Sequence, residues 1–305
     1  MDFRLTDDQR ALCGAFRELL AGRFGREALR AAVDHGGRVD RELWRELGRA
    51  GFFALRLPES EGGVGLGLPE AVLLFEEAGR ALLPGPLVAT QLAAGTVPGA
   101  ADGTAVVTCA HQLAPFVQHF EDADAVVTLG DTPAVVQVRE AAAVRSLDPL
   151  TPLHRLPLTP PPPSAALPVP AVLLTAAEQL GSAARTLEEA VRHARLRVQF
   201  GRPVGAFQAV QHLCAEMLVR TEVARAAVYA AAVVPGPAQA AGAKLLADDA
   251  AVRNARDCLQ VFGGTGFTWE ADVHLFLKRA LLRGRMWLTT AQAEEMNAQA
   301  LASAL

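Results

Sequence analysis

The chain has 305 residues, of which 51% are hydrophobic and 20% are charged, enough for two or three compact units with a core. Its formal net charge of −4 and its lack of a basic stripe with interleaved aromatic residues argue against nucleic-acid binding. No apolar run is long enough to span a bilayer, so we expect no membrane segment.

The cysteines indicate the compartment. They are scattered, at Cys13, Cys109, Cys214 and Cys258, and form no Cys-x-x-Cys pair. This distribution fits a reducing cytoplasm better than a disulfide framework. Residues 1–9 are acidic and amphipathic, unlike a signal peptide. We therefore predict a cytoplasmic protein, and we predict no metal site.

The first third of the chain, residues 1–95, has helical patterns and predicts an N-terminal helical domain. Thr6 is placed to cap a first helix with an apolar face that reaches Leu20. A second helix is predicted from about Asp40. A third starts at Pro69, after a loop rich in proline and glycine.

Residues 96–168 differ in character. Three short runs rich in β-branched residues, 105–110, 125–129 and 134–138, are separated by Asp, Gly and Pro. They predict a small, shortened β domain. The run Pro160–Pro163 predicts a stiff, extended linker or edge segment.

Residues 169–305 are helical again and predict a four-helix bundle. The helices are predicted over 171–199, 207–233 and 238–261, and from 272 to the C-terminus with an interruption near Gly284. Four antiparallel helices with short connections pack as a bundle. The predicted fold is therefore mainly α, with a small central β domain between two helical domains.

A first polar motif follows the first bundle helix. Arg197, Gln199 and Phe200 precede a Gly-Arg-Pro break in the helical pattern. A guanidinium can donate two parallel hydrogen bonds to phosphate oxygens, so Arg197 is a candidate phosphate ligand. The alternative is an ordinary cation at a helix C-terminus, stabilised by the helix dipole.

A second motif ends the third bundle helix. Gln260 precedes Gly263 and Gly264, and glycines let backbone N–H groups approach a ligand closely. The alternative is an ordinary helix end, since helices often stop at glycine. In the following stretch we expect Trp269 and Phe276 to be core residues.

Both motifs resemble those of the acyl-CoA dehydrogenase family of flavoproteins. The resemblance also includes a Pro-Glu loop with a Gly-Gly-x-Gly pattern at 58–65 and a Glu-Glu-x-Gly-Arg helix end at 76–80, so it covers the whole chain. It implies a FAD cofactor, an acyl-CoA substrate and an electron-transfer flavoprotein as acceptor. In the family, these motifs bind the pyrophosphate and adenosine of FAD, usually the FAD of a neighbouring subunit. The residues that the resemblance implies for this role are Arg197, Gln199, Phe200, Gln260, Gly263 and Gly264.

The catalytic base of the family has no match. The reaction needs a carboxylate against the carbon next to the thioester, and members of the family place it at one of two positions. These positions fall here on Trp287 and Ala171, neither of which can accept a proton. Glu178, about two turns after Ala171, is a candidate for the base. The alternative is that Glu178 is an ordinary helix carboxylate.

The middle domain also departs from the family. It lacks the Thr-Glu-Pro-x-Ala-Gly-Ser loop and contains no tryptophan, although such residues contact the flavin ring in the family. Some actinobacterial members that act on steroid side chains form α2β2 assemblies of two different chains with half the usual number of sites. This chain resembles the subunit without a base, which would complete the FAD site of a complementary acyl-CoA dehydrogenase subunit.

Two alternatives remain at this point. The chain could be an autonomous homo-oligomeric acyl-CoA dehydrogenase that uses an atypical base such as Glu178. It could also be a non-redox protein that binds acyl thioesters, or a scaffold, and has lost the flavin altogether.

Overall fold

The computed structural model describes residues 4–111, 113–130, 132–157 and 167–304; the proline run 160–163 lies outside them. The helices of the N-terminal part are α1 (Asp7–Arg23), α2 (Arg26–Asp34), α3 (Arg41–Arg49), α4 (Leu68–Arg80) and α5 (Leu87–Leu92). Side chains cap two of them, and the cap at Thr6 was predicted. Thr6 forms a capping box with Gln9, and Asp40 accepts hydrogen bonds from the first backbone N–H groups of α3.

Two of these helices were not predicted from the sequence. Both are short, with 9 residues in α2 and 6 in α5. Gly25 and Pro86 stand at their N-caps, and neither provides a side chain that could accept a hydrogen bond. Without a cap or a long apolar period, such helices depend on tertiary packing rather than on local sequence signals.

An aromatic cluster forms the core of the N-terminal part. Phe52 stacks between Phe16 and Phe75 with ring centroids 5.0 Å away on both sides. Trp44 packs on Phe53 at 4.7 Å, and its Nε1 donates to the carbonyl of Ala105 at 3.3 Å. This hydrogen bond connects the helices directly to the start of the β region.

The β region has two small sheets. Its strands are β1 (Val107–Cys109), β2 (Phe116–Gln118), β3 (Ala125–Thr128), β4 (Ala134–Val136), β5 (Ala142–Val144) and β6 (Leu153–Arg155). One sheet has the order β1-β3-β4, with β1 and β3 parallel, and the other has the antiparallel order β2-β6-β5. The three predicted runs are β1, β3 and β4. The second sheet lacks a clear β-branched pattern and was not predicted.

The C-terminal part is a bundle of long helices. They are α6 (Val169–Leu196), α7 (Gln208–Val233), α8 (Pro237–Phe262), α9 (Val273–Arg283) and α10 (Thr290–Ala304). The break between α9 and α10 confirms the interruption predicted near Gly284. The prediction that the first helix runs to Gln199 was wrong, because the chain leaves α6 at Leu196 and turns into a hairpin, β7 (Val198–Gln199) and β8 (Arg202–Pro203). The three domain boundaries remain a prediction.

Buried ion pairs connect the elements of the bundle. Arg279 pairs with Asp148, Arg283 with Glu178 and Lys244 with Asp248, and all six side chains are almost completely buried. Asp148 lies in the loop before β6, so its pair joins the β region to α9. The pairs balance in charge, as a buried polar cluster must.

Candidate functional site

The hairpin after α6 exposes three of the predicted site residues. Its strands pair Gln199 with Arg202, which leaves Phe200 and Gly201 as a two-residue turn with φ of 53° and 77°. Two positive φ values are typical of a type I′ turn, in which glycine carries little strain but phenylalanine is unusual. Arg197, Gln199 and Phe200 all lie on the surface. We call residues 197–203 the tip hairpin.

The second motif forms a tight turn at the end of α8. Gly263 has φ 64° and ψ −145°, a conformation that residues with a side chain avoid. A short 3-10 helix, Gly263–Phe267, follows, and we call it the glycine turn. A Cβ added at Gly263 or Gly264 would meet no atom within 4 Å. The backbone here is therefore open to a ligand.

The fold brings the two motifs to the same end of the bundle. His193, one turn before Arg197, stacks on Phe262 with ring centroids 4.0 Å apart. Phe262 directly precedes the glycine turn. Burial, and then the charge of Arg197, lower the pKa of His193, which is the effect of a nearby guanidinium. Residues that are more than 60 positions apart in the sequence thus share one surface.

This surface has cations without a carboxylate partner in the described part of the chain. Arg197 forms no ion pair there, and Gln260 lies exposed on the last turn of α8. Two acidic groups on neighbouring turns of α6 and α8 already have partners: Glu189 pairs with Arg185 and Arg192, and Asp257 pairs with Arg220. A guanidinium without an ion pair, an exposed amide and glycines with open side-chain faces together fit a phosphate ester.

Large aromatic side chains surround these polar groups. Phe200 is 90% exposed, Phe267 is 71% exposed and Trp269 is 59% exposed. The prediction that Trp269 is a core residue was wrong, whereas Phe276 is buried as predicted. Trp269 instead lies on the surface of α9, edge-on to His274 and under the ammonium group of Lys278. Exposed aromatic residues in such a cluster are typical of a protein interface.

The two positions expected for a base lie beside the same part of α6. Trp287 follows α9 with φ 69°, and its Nε1 donates to the Thr175 hydroxyl at 2.8 Å. Ala171 is fully buried one turn before Thr175 on α6. The indole therefore occupies the space beside α6 that a glutamate at this position would use, and neither position can take a proton.

Glu178 is buried in the bundle, where Arg283 Nη2 donates to its Oε1 at 2.6 Å. Burial raises the pKa of Glu178, and Arg283 and Arg279 oppose this rise. A buried carboxylate with a raised pKa could serve as a base, but a guanidinium that binds it directly is typical of a structural pair.

A cleft that the sequence did not predict lies between the N-terminal helices and the bundle. It has a volume of about 800 Å³, and its walls include Phe24 of the segment after α1, Phe276 of α9, and His193 and Phe262 from beside the glycine turn. Arginines and carboxylates, mostly paired, line its rim. No local signal could have indicated it, because its walls come from distant parts of the chain.

Within the described ranges, no group of three or more His, Cys, Asp or Glu side chains could hold a metal ion. None of the helices described is both long and apolar enough to cross a membrane.

We expect His274 to make stability depend on pH. Burial and the charges of Lys278 and Arg30 lower its pKa from 6.5 to about 4. Between these values the unfolded chain binds a proton that the folded chain does not, so stability falls as the pH drops from 6.5 to 4, by about 1–3 kcal/mol. Urea unfolding at pH 7 and 4.5 should show that the free energy of unfolding falls less for His274→Phe than for the wild type. The exposed control His212→Asn should lose as much as the wild type, and equal losses in all three proteins would contradict the assignment.

Comparisons with known proteins agree with this geometry. Residues 6–106 match the acyl-CoA dehydrogenase N-terminal domain, and residues 172–287 match the acyl-CoA dehydrogenase C-terminal domain. The chain is 38% identical over 292 residues to the acyl-CoA dehydrogenase IpdE2 of Mycobacterium tuberculosis, covering 90% of this chain and 91% of that protein.

Two solved structures are similar over the whole length. A chain of the ChsE4-ChsE5 complex from Mycobacterium tuberculosis superposes with a TM-score of 0.84 at 25% identity, covering 99% of both chains. A chain of the Tcur3481-Tcur3483 steroid ACAD superposes with the same TM-score and identity, covering 98% of both. The protein described here belongs to the acyl-CoA dehydrogenase family.

Proposed function

We propose that this chain is the subunit without a catalytic base in a heteromeric, FAD-dependent acyl-CoA dehydrogenase. The observation that carries the proposal is the contrast between two sites. The tip hairpin has an exposed guanidinium and the glycine turn has open side-chain faces, which fit a pyrophosphate, whereas Trp287 and Ala171 stand where the base is expected. Such a chain can bind a cofactor but cannot remove the substrate's proton by itself.

In the proposed assembly, Arg197 binds the pyrophosphate of a FAD whose ring lies in the complementary subunit. Gln199, Gln260 and the backbone of Gly263 and Gly264 contribute to binding the pyrophosphate and the adenosine, and Phe200 packs against the cofactor. When bound, FAD accepts a hydride from the acyl thioester. The residues of this chain hold the cofactor and exclude water from it, and the base comes from the partner.

The exposed aromatic residues around the site support a partner. Phe200, Phe267 and Trp269 would be costly to leave in water on a monomer. Each of the two structural relatives is named for two components, ChsE4-ChsE5 and Tcur3481-Tcur3483, and the second is named a steroid ACAD. This supports steroid-derived acyl-CoA thioesters as the first substrates to test. The four cysteines are free thiols, which agrees with the cytoplasmic location that we propose, and an electron-transfer flavoprotein is the proposed acceptor.

The flavin spectrum of the purified protein tests the proposal. We expect the chain to be colourless alone and yellow when co-expressed with its complementary subunit, with one FAD per heterodimer. A chain that binds FAD stoichiometrically alone and is bleached by an acyl-CoA would instead support an autonomous enzyme. A complex that stays colourless and inactive would support the scaffold alternative.

The variant Glu178→Gln separates a heteromeric site from an autonomous one. In the heteromer Glu178 is structural, so turnover per bound flavin should change less than twofold. Stability should fall by about 3 kcal/mol or more, because Arg283 loses its buried counter-charge. If Glu178 were the base, turnover would fall by a factor of about 10² to 10⁴ while flavin stayed bound. Steady-state kinetics and urea unfolding of the same preparation measure both quantities.

A further inference from the structure

The glycine turn receives little support from its immediate surroundings. Gly263 and Gly264 have open space on their side-chain faces. Inside the turn the hydrogen bonds are local, such as those from the Thr265 hydroxyl to Phe262 O at 2.9 Å and from the Thr268 hydroxyl to Thr265 O at 2.8 Å. The position of the turn therefore depends on how its two ends are held. One end is α8, and the other is the loop 268–272 that leads into α9.

Two arginines of α2 hold this loop from across the large cleft. Arg26 Nε donates to Asp272 Oδ2 at 2.7 Å, and its Nη2 donates to the carbonyl of Glu270 at 2.8 Å. Arg30 pairs with the other carboxylate oxygen of Asp272. These partners are separated by more than 240 positions in the sequence. The N-terminal helices thus contact the loop that follows the glycine turn.

This contact is more than a typical surface ion pair. Asp272 accepts a hydrogen bond from Arg26 and also forms an ion pair with Arg30. The side chain of Asp272 is 20% exposed and that of Arg30 is 24% exposed. Partial burial reduces the screening that weakens exposed pairs. On the other side of the loop, His274 is buried at the start of α9 with its ring 4.7 Å from Trp269. The loop is therefore held from both sides.

We propose that Arg26, Arg30 and Asp272 form a latch that holds the glycine turn in its cofactor-binding conformation. The proposal rests on the proposed function and adds positioning residues to it, in a domain that does not itself contact the cofactor. Breaking the latch lets the loop 268–272 sample other conformations. The apparent affinity for FAD then falls in proportion to the fraction of molecules that keep the competent one.

The test uses the co-expressed complex stripped of flavin and reconstituted with FAD. We expect Arg30→Met and Asp272→Asn each to raise the dissociation constant of FAD about 10-fold. The double variant should lose no more than Asp272→Asn alone, because that substitution already removes the carboxylate that Arg30 contacts. Arg23→Met is the matched control: Arg23 is nearby on α1 and pairs with Glu46 at 2.8 Å within the N-terminal helices, so its loss should leave FAD affinity unchanged.

A second measurement, on the full chain alone, is independent of the cofactor. Amide hydrogen exchange across residues 263–272 should speed up in Arg30→Met but not in Arg23→Met. Rescue by Arg30→Lys, with at least partial recovery of both readouts, would support a charged contact. Unchanged exchange and unchanged FAD affinity in Arg30→Met would overturn the latch. If exchange were faster in Arg30→Met but the complex bound no FAD at all, the contact itself would be supported. Its role in cofactor binding and the proposed function would both be rejected.

Discussion

Replacing Arg279 with methionine is expected to lower the free energy of unfolding by about 3–5 kcal/mol, the largest stability effect that we predict for one substitution. Arg279 is 2% exposed and its partner Asp148 is 0% exposed. Arg279 Nε binds the Asp148 carboxylate, and its Nη1 donates to Leu83 O at 3.2 Å. Methionine fills similar space but leaves a charged carboxylate buried without its counter-charge.

Some contacts of Asp148 would survive the substitution. The backbone N–H of Leu150 and the hydroxyl of Thr151 donate to it at 3.1 and 2.7 Å. These neutral donors do not replace a cation, so the carboxylate must take up a proton or draw in water. Because the pair joins the β region to α9, we expect the loss to weaken both parts.

Urea unfolding measures this effect directly. The matched control is Arg253→Met, which removes an exposed arginine that pairs with Asp249 at 2.8 Å on α8, and it should cost less than about 1 kcal/mol. The double variant Asp148→Asn/Arg279→Met should regain part of the stability, since it leaves no unpaired charge. If Arg279→Met cost no more than Arg253→Met, the buried pair would not have the structural role assigned to it.

Replacing Arg197 with methionine is expected to weaken FAD binding by the heteromeric complex about 10- to 100-fold, which corresponds to about 1.4–2.8 kcal/mol. In the proposed site, Arg197 binds the pyrophosphate, and it has no carboxylate partner among the described residues. Methionine removes the charge-assisted hydrogen bonds and retains much of the apolar stem. The folded chain should remain stable, because Arg197 is exposed.

Flavin fluorescence titration of the apo-complex measures the dissociation constant. Arg195→Met is the matched control, since Arg195 has the same charge two residues earlier but lines the groove between α6 and α7. It should change FAD affinity less than twofold once salt concentration is held constant. Equal losses in both variants would indicate only a general electrostatic attraction, and no loss in either would reject the assignment of Arg197.

The chain sequence alone predicted the features that depend on neighbouring residues. Thr6 caps its helix as expected, because a cap needs only the next three backbone N–H groups, and the helix predicted from about Asp40 begins at Arg41. The long bundle helices and the break near Gly284 followed from periodicity and glycine. The sequence also showed that no carboxylate stands at Trp287 or Ala171. The roles of Arg197, Gln199, Phe200, Gln260, Gly263 and Gly264 remain predictions.

Other features were decided only by tertiary structure. Trp269 was expected in the core, but it packs on the surface of α9 against His274 and Lys278 and stays exposed. Glu178 has the same local pattern whether it is a base or a structural residue, and only the approach of Arg283, 105 positions away, distinguishes them. The contact from Arg26 to Asp272 spans 246 positions. Local periodicity cannot report such contacts, because they form only when helices distant in the sequence pack around a shared core and cleft.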